Sequence, residues 1–424
     1  MPDVSEFFGG DFWFTGSCLA CFVLLGLLFQ RKPINAVLAG LLNVVCGYFM
    51  LCIGAGFIAN VTRPISQTIA AATGTKIVFA SNEAAVALYF SRYTMLSVGI
   101  LVVMCALNIV LARFTRYKVI FFTGHVLLFT AGMLAALQQA LTNWPMWCMV
   151  LTGGVAGLCI NVISMRACQR YIDLLPHHAG TVALAHTGNV SVFLTGLLAS
   201  KLGNREDSAE QWNISGKWSF FRDAPVASAV TMAVTLLILC SVAGRVPDAS
   251  EGFFGVAGYA LKGGVLFGIS ISLILFGVRL VTGDLVSTLK FFVDKLAPGA
   301  KLGVDAPMFF SCAQKSWLLA FLVSYPLSIL FSVILAWAVG LPCVSLVCSV
   351  PCFFDAGIAG VIGNTVGGKR GVLLGAAVHA LLMAVGLSLL GMLVPLAQET
   401  GIIWGGPDAA FFGTILGFLL KVAK

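Results

Sequence analysis

The sequence predicts an all-α polytopic membrane protein of roughly ten or eleven transmembrane helices, and three observations carry that prediction. Hydrophobic residues make up 59% of the 424 positions and charged residues 10%, too little charge to hydrate the surface of a soluble chain. Between Lys118 and Arg166 lie 47 residues without an Asp, Glu, Lys or Arg. That is too long for one span of about 20 residues and right for two. Finally, two segments, one in each half, are apolar enough to enter a bilayer yet are broken by Gly, Pro and polar residues.

The N-terminus carries Asp3, Glu6 and Asp11 rather than basic residues, and no small-residue cleavage site follows the first apolar run, so no cleaved signal peptide is expected. Apolar segments then fall near 12–30, 34–59 and 94–112. The charge-free stretch reads as a helical hairpin, 119–141 and 146–165, turning at Thr142-Asn143-Trp144-Pro145. Arg31-Lys32, Arg113/Arg116/Lys118 and Arg166/Arg170 flank three loops expected in the cytoplasm; of the loops between them, the turn around Asn143 holds no basic residue and the long connection after Ile58 holds Arg63, Lys76 and Arg92. The positive-inside rule puts the N-terminus outside.

The stretch 180–200 is the first interrupted segment, with Gly180, Gly188 and Gly196 among Thr181, His186, Thr187 and Asn189. Residues 201–223 form the one sizeable hydrophilic loop, a surface connection or a docking point for a cytosolic partner. Apolar segments resume at 225–244 and 258–281. In 284–296 the apolar residues Leu285, Val286, Leu289, Phe292, Val293 and Leu296 share one helical face, which predicts an amphipathic helix at the membrane interface. A span at 316–340 follows, then the second interrupted segment, 341–368, broken by Pro342, Pro351, five glycines and Asp355. The last segments are 371–396 and 409–422. Non-helical backbone at membrane depth survives only where protein or a water-filled cavity satisfies it. A pair of such segments in the two halves points to a transporter's binding site.

The thirteen cysteines sit mostly singly in apolar runs, and no pair has zinc-ligand spacing with a His nearby, so neither a disulfide scaffold nor a metal site is expected. No basic stripe interleaved with aromatics is present to bind nucleic acid. Of five histidines, His177 and His178 read as a solvated turn and His379 as a helix-to-helix hydrogen bond. His125, at a helix entry, and His186, inside the first interrupted segment, are the substrate-facing candidates. Asp305 and Asp355 are carboxylates surrounded by apolar sequence, which are costly in a membrane and usually face a cavity or a partner. Glu83 is a weaker candidate. No Asp-rich Mg²⁺ motif, His-Glu-x-x-His, Gly-x-Ser-x-Gly or Walker loop is present. Any phosphoryl donor must therefore come from another chain, and no cofactor is expected.

Leu28-Phe29-Gln30-Arg31-Lys32 leading to Gly54-Ala55-Gly56 and Arg63-Pro64, and Ala106 to Val110 through Thr123-Gly124-His125 and Ala131-Gly132, resemble the ascorbate-type permeases of the bacterial sugar phosphotransferase system. Further likeness runs in the same order through His186, Lys201-Leu202-Gly203, Phe221-Arg222-Asp223, Asp305-Ala306 and the 351–370 stretch. On this collinearity the chain resembles the membrane-spanning IIC component of the ascorbate–galactitol class.

The resemblance implies one permease unit over 1–424 with inverted halves, approximately 1–224 and 225–424, and no soluble IIA or IIB domain. It implies a scaffold and a mobile core, a homodimer in the bacterial inner membrane, elevator-like transport, and phosphorylation of the sugar by a separate IIB protein with IIA upstream. Carried onto this sequence, the expected substrate-binding residues are His125, Thr130, His186, Thr187, Asp305, Phe354 and Asp355. The chain departs from ascorbate permeases at Phe129, Thr130, Thr187 and Gly188, where glutamines are expected, and at Asp355, where an Asn is usual. Fewer amides and one more carboxylate shift the inventory toward acceptors. A neutral polyol or sugar is therefore expected, with ascorbate admitted if Asp355 is protonated or turned away. A secondary transporter using Asp305 or Asp355 as a proton or cation site is the alternative.

Overall fold

The computed structural model describes residues 20–21, 23–90, 92–176, 182–211, 223–244, 246 and 252–422. His177 and His178, and the part of the hydrophilic loop at 212–222, lie outside the described residues. The fold is mostly helical, and among the described residues seven helices are long and apolar enough to cross a membrane, with shorter apolar helices at Ile34–Met50, Asn189–Leu202 and Ala409–Val422.

The principal elements are α1 (Ile34–Thr73), β1 (Lys76–Ala80), α2 (Thr94–Phe114), β2 (Val119–Phe121), α3 (Gly124–Leu141), α4 (Met146–Ile172), β3 (Val182–Leu184) and α5 (Asn189–Leu202). They continue with α6 (Ala224–Ala243), α7 (Gly252–Leu296), β4 (Lys301–Val304), α8 (Gln314–Trp337), β5 (Cys343–Val347), α9 (Gly357–Leu381), β6 (Ile402–Ile403) and α10 (Thr414–Val422). Short helical turns follow β1 (Asn82–Ala85), β4 (Ala306–Cys312) and β5 (Ser349–Pro351). One order therefore occurs twice in outline: strand, short helix, long helix, strand, a helical stretch, strand, helix; the helical stretch is α3 and α4 in the first case and α9 with shorter helices around it in the second.

Six short strands are what the all-helical reading of the sequence did not contain. They form two parallel three-stranded sheets, β5-β1-β6 and β2-β4-β3. In each, the first strand of one half lies between the second and third strands of the other. Strands of two to five residues carry no usable periodicity: β2, β3 and β5 fall near the starts of the segments read as 119–141, 180–200 and 341–368, and β1, β4 and β6 fall between segments.

The long helices α1, α6 and α7 pack on one another. Gly264 and Gly268 of α7 lie against Ala229 of α6, with no room for side chains: a Cβ on Gly264 would fall 2.5 Å from the Ala229 carbonyl oxygen. The segment 284–296, expected as a separate interfacial helix, continues α7 without a break.

Helix α9 reverses direction at Gly368, whose φ of 58° and ψ of −147° suit glycine. Gly363 meets Gly371 and Ala359 meets Gly375, so one index falls as the other rises and the two arms run antiparallel. The turn is held by Asn204 N–H on the Gly367 carbonyl (3.0 Å), Lys369 N–H on the Asp207 carbonyl (2.7 Å) and the Lys369–Asp207 ion pair (2.7 Å). The described part of the hydrophilic loop thus has a structural task. Its Glu210 also caps α8, accepting from the Ser316 N–H at 2.7 Å.

A Cβ on Gly371 would lie 1.9 Å from the Gly363 carbonyl oxygen, a backbone atom that cannot rotate away. Gly371→Val is expected to cost at least about 1–3 kcal/mol through overpacking, read as a lower melting temperature and loss of monodisperse protein in detergent. A variant as stable as the parent would show that the arms can part.

Candidate functional site

The ends of the strands converge. His125 lies just after β2, His186 just after β3 and Asp305 directly after β4, so one sheet delivers all three. Asn82 and Glu83 follow β1, and Phe354 and Asp355 follow β5, from the other sheet. Because His186 lies 3.1 Å from Asp355, the carboxyl ends of the two sheets face each other across the site.

Local structure fixes each group. Asp305 is extended (φ −74°, ψ 154°) and caps the turn Ala306–Cys312, its Oδ1 accepting the Ala306 N–H at 2.8 Å. His186 sits between the end of β3 and the first turn of α5. That helix start is held from the other half of the chain: Asp408 Oδ1 accepts the Val190 N–H at 2.7 Å, and Asp408 N–H donates to the Thr187 carbonyl at 2.8 Å.

The centre is an imidazole between two carboxylates. His186 Nδ1 is 2.7 Å from Asp305 Oδ1. Its Nε2 is 3.1 Å from Asp355 Oδ1, an ion-pair distance without hydrogen-bond alignment. A ring in that position faces both carboxyl groups either as imidazolium, with a proton on each nitrogen, or as neutral imidazole beside one protonated carboxyl. His125 Nε2 adds a longer contact, 3.5 Å, to Asp305 Oδ2. Asp355, fully buried, also accepts the Thr187 hydroxyl at 2.9 Å.

These groups border a cavity of about 300 Å³ lined by Asn82, Glu83, His125, Phe129, His186, Thr187, Arg279, Asp305, Pro307, Pro351 and Phe354. That volume is at the small end for ligand pockets, with polar groups placed among aromatic and proline walls. Of the residues singled out from the sequence, His125, His186, Thr187, Asp305 and Phe354 line it together. Thr130 does not: it borders a smaller neighbouring space, and its hydroxyl donates to the Val126 carbonyl of its own helix at 3.0 Å. Asp355 lies behind the wall, against His186 and Thr187. Its contact with the cavity runs through His186.

Glu83 and Arg279 complete the charged lining. Glu83 is buried, accepts the Ser81 hydroxyl at 3.1 Å and faces the cavity, a stronger position than its sequence context suggested. Arg279 comes from α7 and has no ion-pair partner among the described residues. A signal for it was present: it is the one charged residue between Lys262 and Asp284, and ionisable residues in apolar spans face cavities or partners.

His379, away from the site, is fully buried with Nδ1 2.8 Å from the Ser324 hydroxyl, a contact between helices.

Residues 17–414 match the EIIC-GAT family, the PTS system sugar-specific permease component. The chain is 24% identical over 407 residues to the "Ascorbate-specific PTS system EIIC component" of Mycoplasma pneumoniae (strain ATCC 29342 / M129 / Subtype 1), covering 84% of this chain and 62% of the relative. The chain thus spans under two thirds of the length of the curated relative it matches.

Removing one member of a buried pair strands the other's charge. Asp355→Ala is expected to destabilise by about 3–5 kcal/mol. The double variant with His186→Ala should be destabilised by less than the sum of the two singles. Thermal unfolding of the four proteins in one detergent tests this, and additive losses would mean that the two residues do not interact.

Proposed function

The chain belongs to the EIIC-GAT family of PTS sugar-specific permease components, and from that premise we propose that it binds a small carbohydrate and carries it across the bacterial inner membrane for phosphorylation by a separate IIB protein. The observation that carries this reading is the cavity itself. Its volume of about 300 Å³ suits one sugar-sized molecule, and its wall offers imidazole, carboxylate, amide, hydroxyl and guanidinium groups at the ends of two rigid sheets. Polyhydroxylated ligands need donors and acceptors in alternation. Asp305 and Glu83 supply acceptors, Arg279 supplies donors, Asn82 supplies both, and Thr187, whose hydroxyl proton goes to Asp355, supplies an acceptor.

The substrate reading shifts with the geometry. An exposed carboxylate at position 355 would repel an anionic sugar, but Asp355 sits behind His186, and Arg279 adds a cation to the wall. A guanidinium pairs well with two adjacent oxygens. An acid sugar of the ascorbate kind is therefore the first substrate to test, ahead of the neutral polyols. The name of the Mycoplasma relative agrees with that choice.

In this reading the halves near 1–224 and 225–424 are inverted repeats, supported by the twofold occurrence of the element order and by the reciprocal strand pairing. The helices α1, α6 and α7 are the scaffold, through which a homodimer forms. The sheet-bearing remainder is the core that moves by an elevator-like displacement. The phosphoryl donor residue is on IIB, phosphorylated in turn by IIA.

Uptake of labelled ascorbate, galactitol and other polyols, with and without phosphorylated IIB, tests the proposal. Dependence on IIB with phosphorylated product inside is expected, and His125→Gln should raise the KM by about tenfold, the loss of roughly one charge-assisted contact. Accumulation of unmodified solute without IIB would instead favour a secondary transporter with the Asp305–His186–Asp355 cluster as its proton or cation site.

A further inference from the structure

The ring nitrogens of His125 and His186 and the carboxylate of Asp305 converge on one part of the cavity wall. From their geometry we propose that this trio binds a divalent transition-metal ion of the zinc type, with a fourth position open to the cavity. The inference goes beyond the transport reading and stands on the side chains alone. No local motif could have announced it, since His186 and Asp305 are 119 residues apart and meet only because β3 pairs with β4.

One ligand atom from each of the three residues lies within 4.8 Å of the others. Zinc with bonds of about 2.0–2.2 Å keeps neighbouring tetrahedral ligands about 3.3–3.5 Å apart by the same bond lengths. The His125 Nε2 to Asp305 Oδ2 distance, 3.5 Å, already has that value. The His186 Nδ1 to Asp305 Oδ1 distance, 2.7 Å, is that of a hydrogen bond, so a metal must take the place of the shared proton and widen the pair by less than about 1 Å. The two distances are to different oxygens of Asp305, so its carboxylate, 30% exposed, either binds through both or turns one oxygen toward both rings and gives up the Ala306 N–H.

A second feature points the same way. Histidines that ligate a metal generally direct their other ring nitrogen at a carboxylate, which fixes the ring and raises its basicity. His186 does so: its Nε2 is buried, without an aligned hydrogen bond, 3.1 Å from Asp355, and Asp355 is held in turn by Thr187. Two imidazoles and a carboxylate select zinc, nickel or copper over magnesium or calcium. Three protein ligands with an open side is the arrangement of a site that exchanges its fourth ligand. The ion lies where a sugar is proposed to sit, so it competes with the sugar or is chelated by its hydroxyls, and it ties the starts of α3 and α5 to the end of β4.

The test is a calorimetric titration of the purified full-length protein with Zn²⁺ near neutral pH, after alkylation of exposed thiols such as Cys21, Cys46 and Cys159. One saturable site per chain is expected. His125→Gln and Asp305→Asn should each weaken it by at least about tenfold, while a His177→Gln/His178→Gln double variant leaves it unchanged. Co²⁺ used as a probe should give a visible absorption band that His125→Gln abolishes. His125→Gln is the least disruptive variant, because that ring contributes a long ion pair and an edge contact to Phe129. Absence of saturable Zn²⁺ binding, or binding untouched by both His125→Gln and Asp305→Asn, would overturn the assignment.

Discussion

Buried extended backbone has to close its hydrogen bonds inside the protein, and that constraint shapes this molecule more than any side-chain contact. An apolar helix satisfies its own backbone, whereas a chain that leaves the helix at depth must find partners elsewhere. Here each half supplies the other's partners. β1 bonds to β5 and β6, and β4 bonds to β2 and β3. The pairing extends past the strands: Ser81 N–H donates to the Ile403 carbonyl, Cys348 N–H to Ala80 and Ala185 N–H to Val304. Where the ladder ends a side chain takes over, with Asn82 Oδ1 accepting the Gly405 N–H at 3.0 Å. Neither half can complete its backbone without the other.

The site is a consequence of that exchange. Each strand stops where a helix starts, so the residues between them sit on fixed backbone with helix starts around them. His186, Asp305 and His125 are held by one sheet, Glu83 and Asp355 by the other. The His186 ring is the piece that joins them, touching Asp305 at one nitrogen and Asp355 at the other. Asp408, from the last stretch of chain, caps a helix that starts more than two hundred residues earlier in sequence. Substrate selectivity on such a frame is set by exchanging side chains at the strand ends, without altering the ladder beneath them.

Much of the helical fold was legible in the sequence, because long apolar runs have few other interpretations. The spans expected near 94–112, 146–165, 225–244 and 316–340 are Thr94–Phe114, Met146–Ile172, Ala224–Ala243 and Gln314–Trp337. The interrupted segments were legible as interruptions but not in kind. Pairing between residues hundreds of positions apart leaves no local trace, so 76–80 and 343–347 could not be seen as neighbours. His186 and Asp305 stood out as polar groups in apolar surroundings, and the structure brings them together. The same logic applied to Asp355 missed its place behind the wall, because sequence shows that a carboxylate is surrounded by apolar residues but not which side of a histidine it occupies. Arg279 was passed over because it lies in a stretch read as an ordinary span.

The interleaving also limits how the cavity can open. Parting the two halves would break both sheets, whose bonds run between the halves, and would separate His186 from Asp305 or Asp355. Any motion that spares the ladder must move the sheet-bearing body as one piece. Arg279 is the lining residue that comes from α7, while the others come from the strand ends and the start of α3. In the proposed displacement of the core against α1, α6 and α7, the guanidinium therefore leaves the carboxylate wall while the histidine–carboxylate cluster travels intact. Arg279 is exposed and within ion-pair distance of no carboxylate among the described residues, so that separation costs little in the empty cavity. Under that proposal Arg279 is the lining group whose contact with a bound ligand changes as the core moves, because it alone among the lining residues belongs to α7.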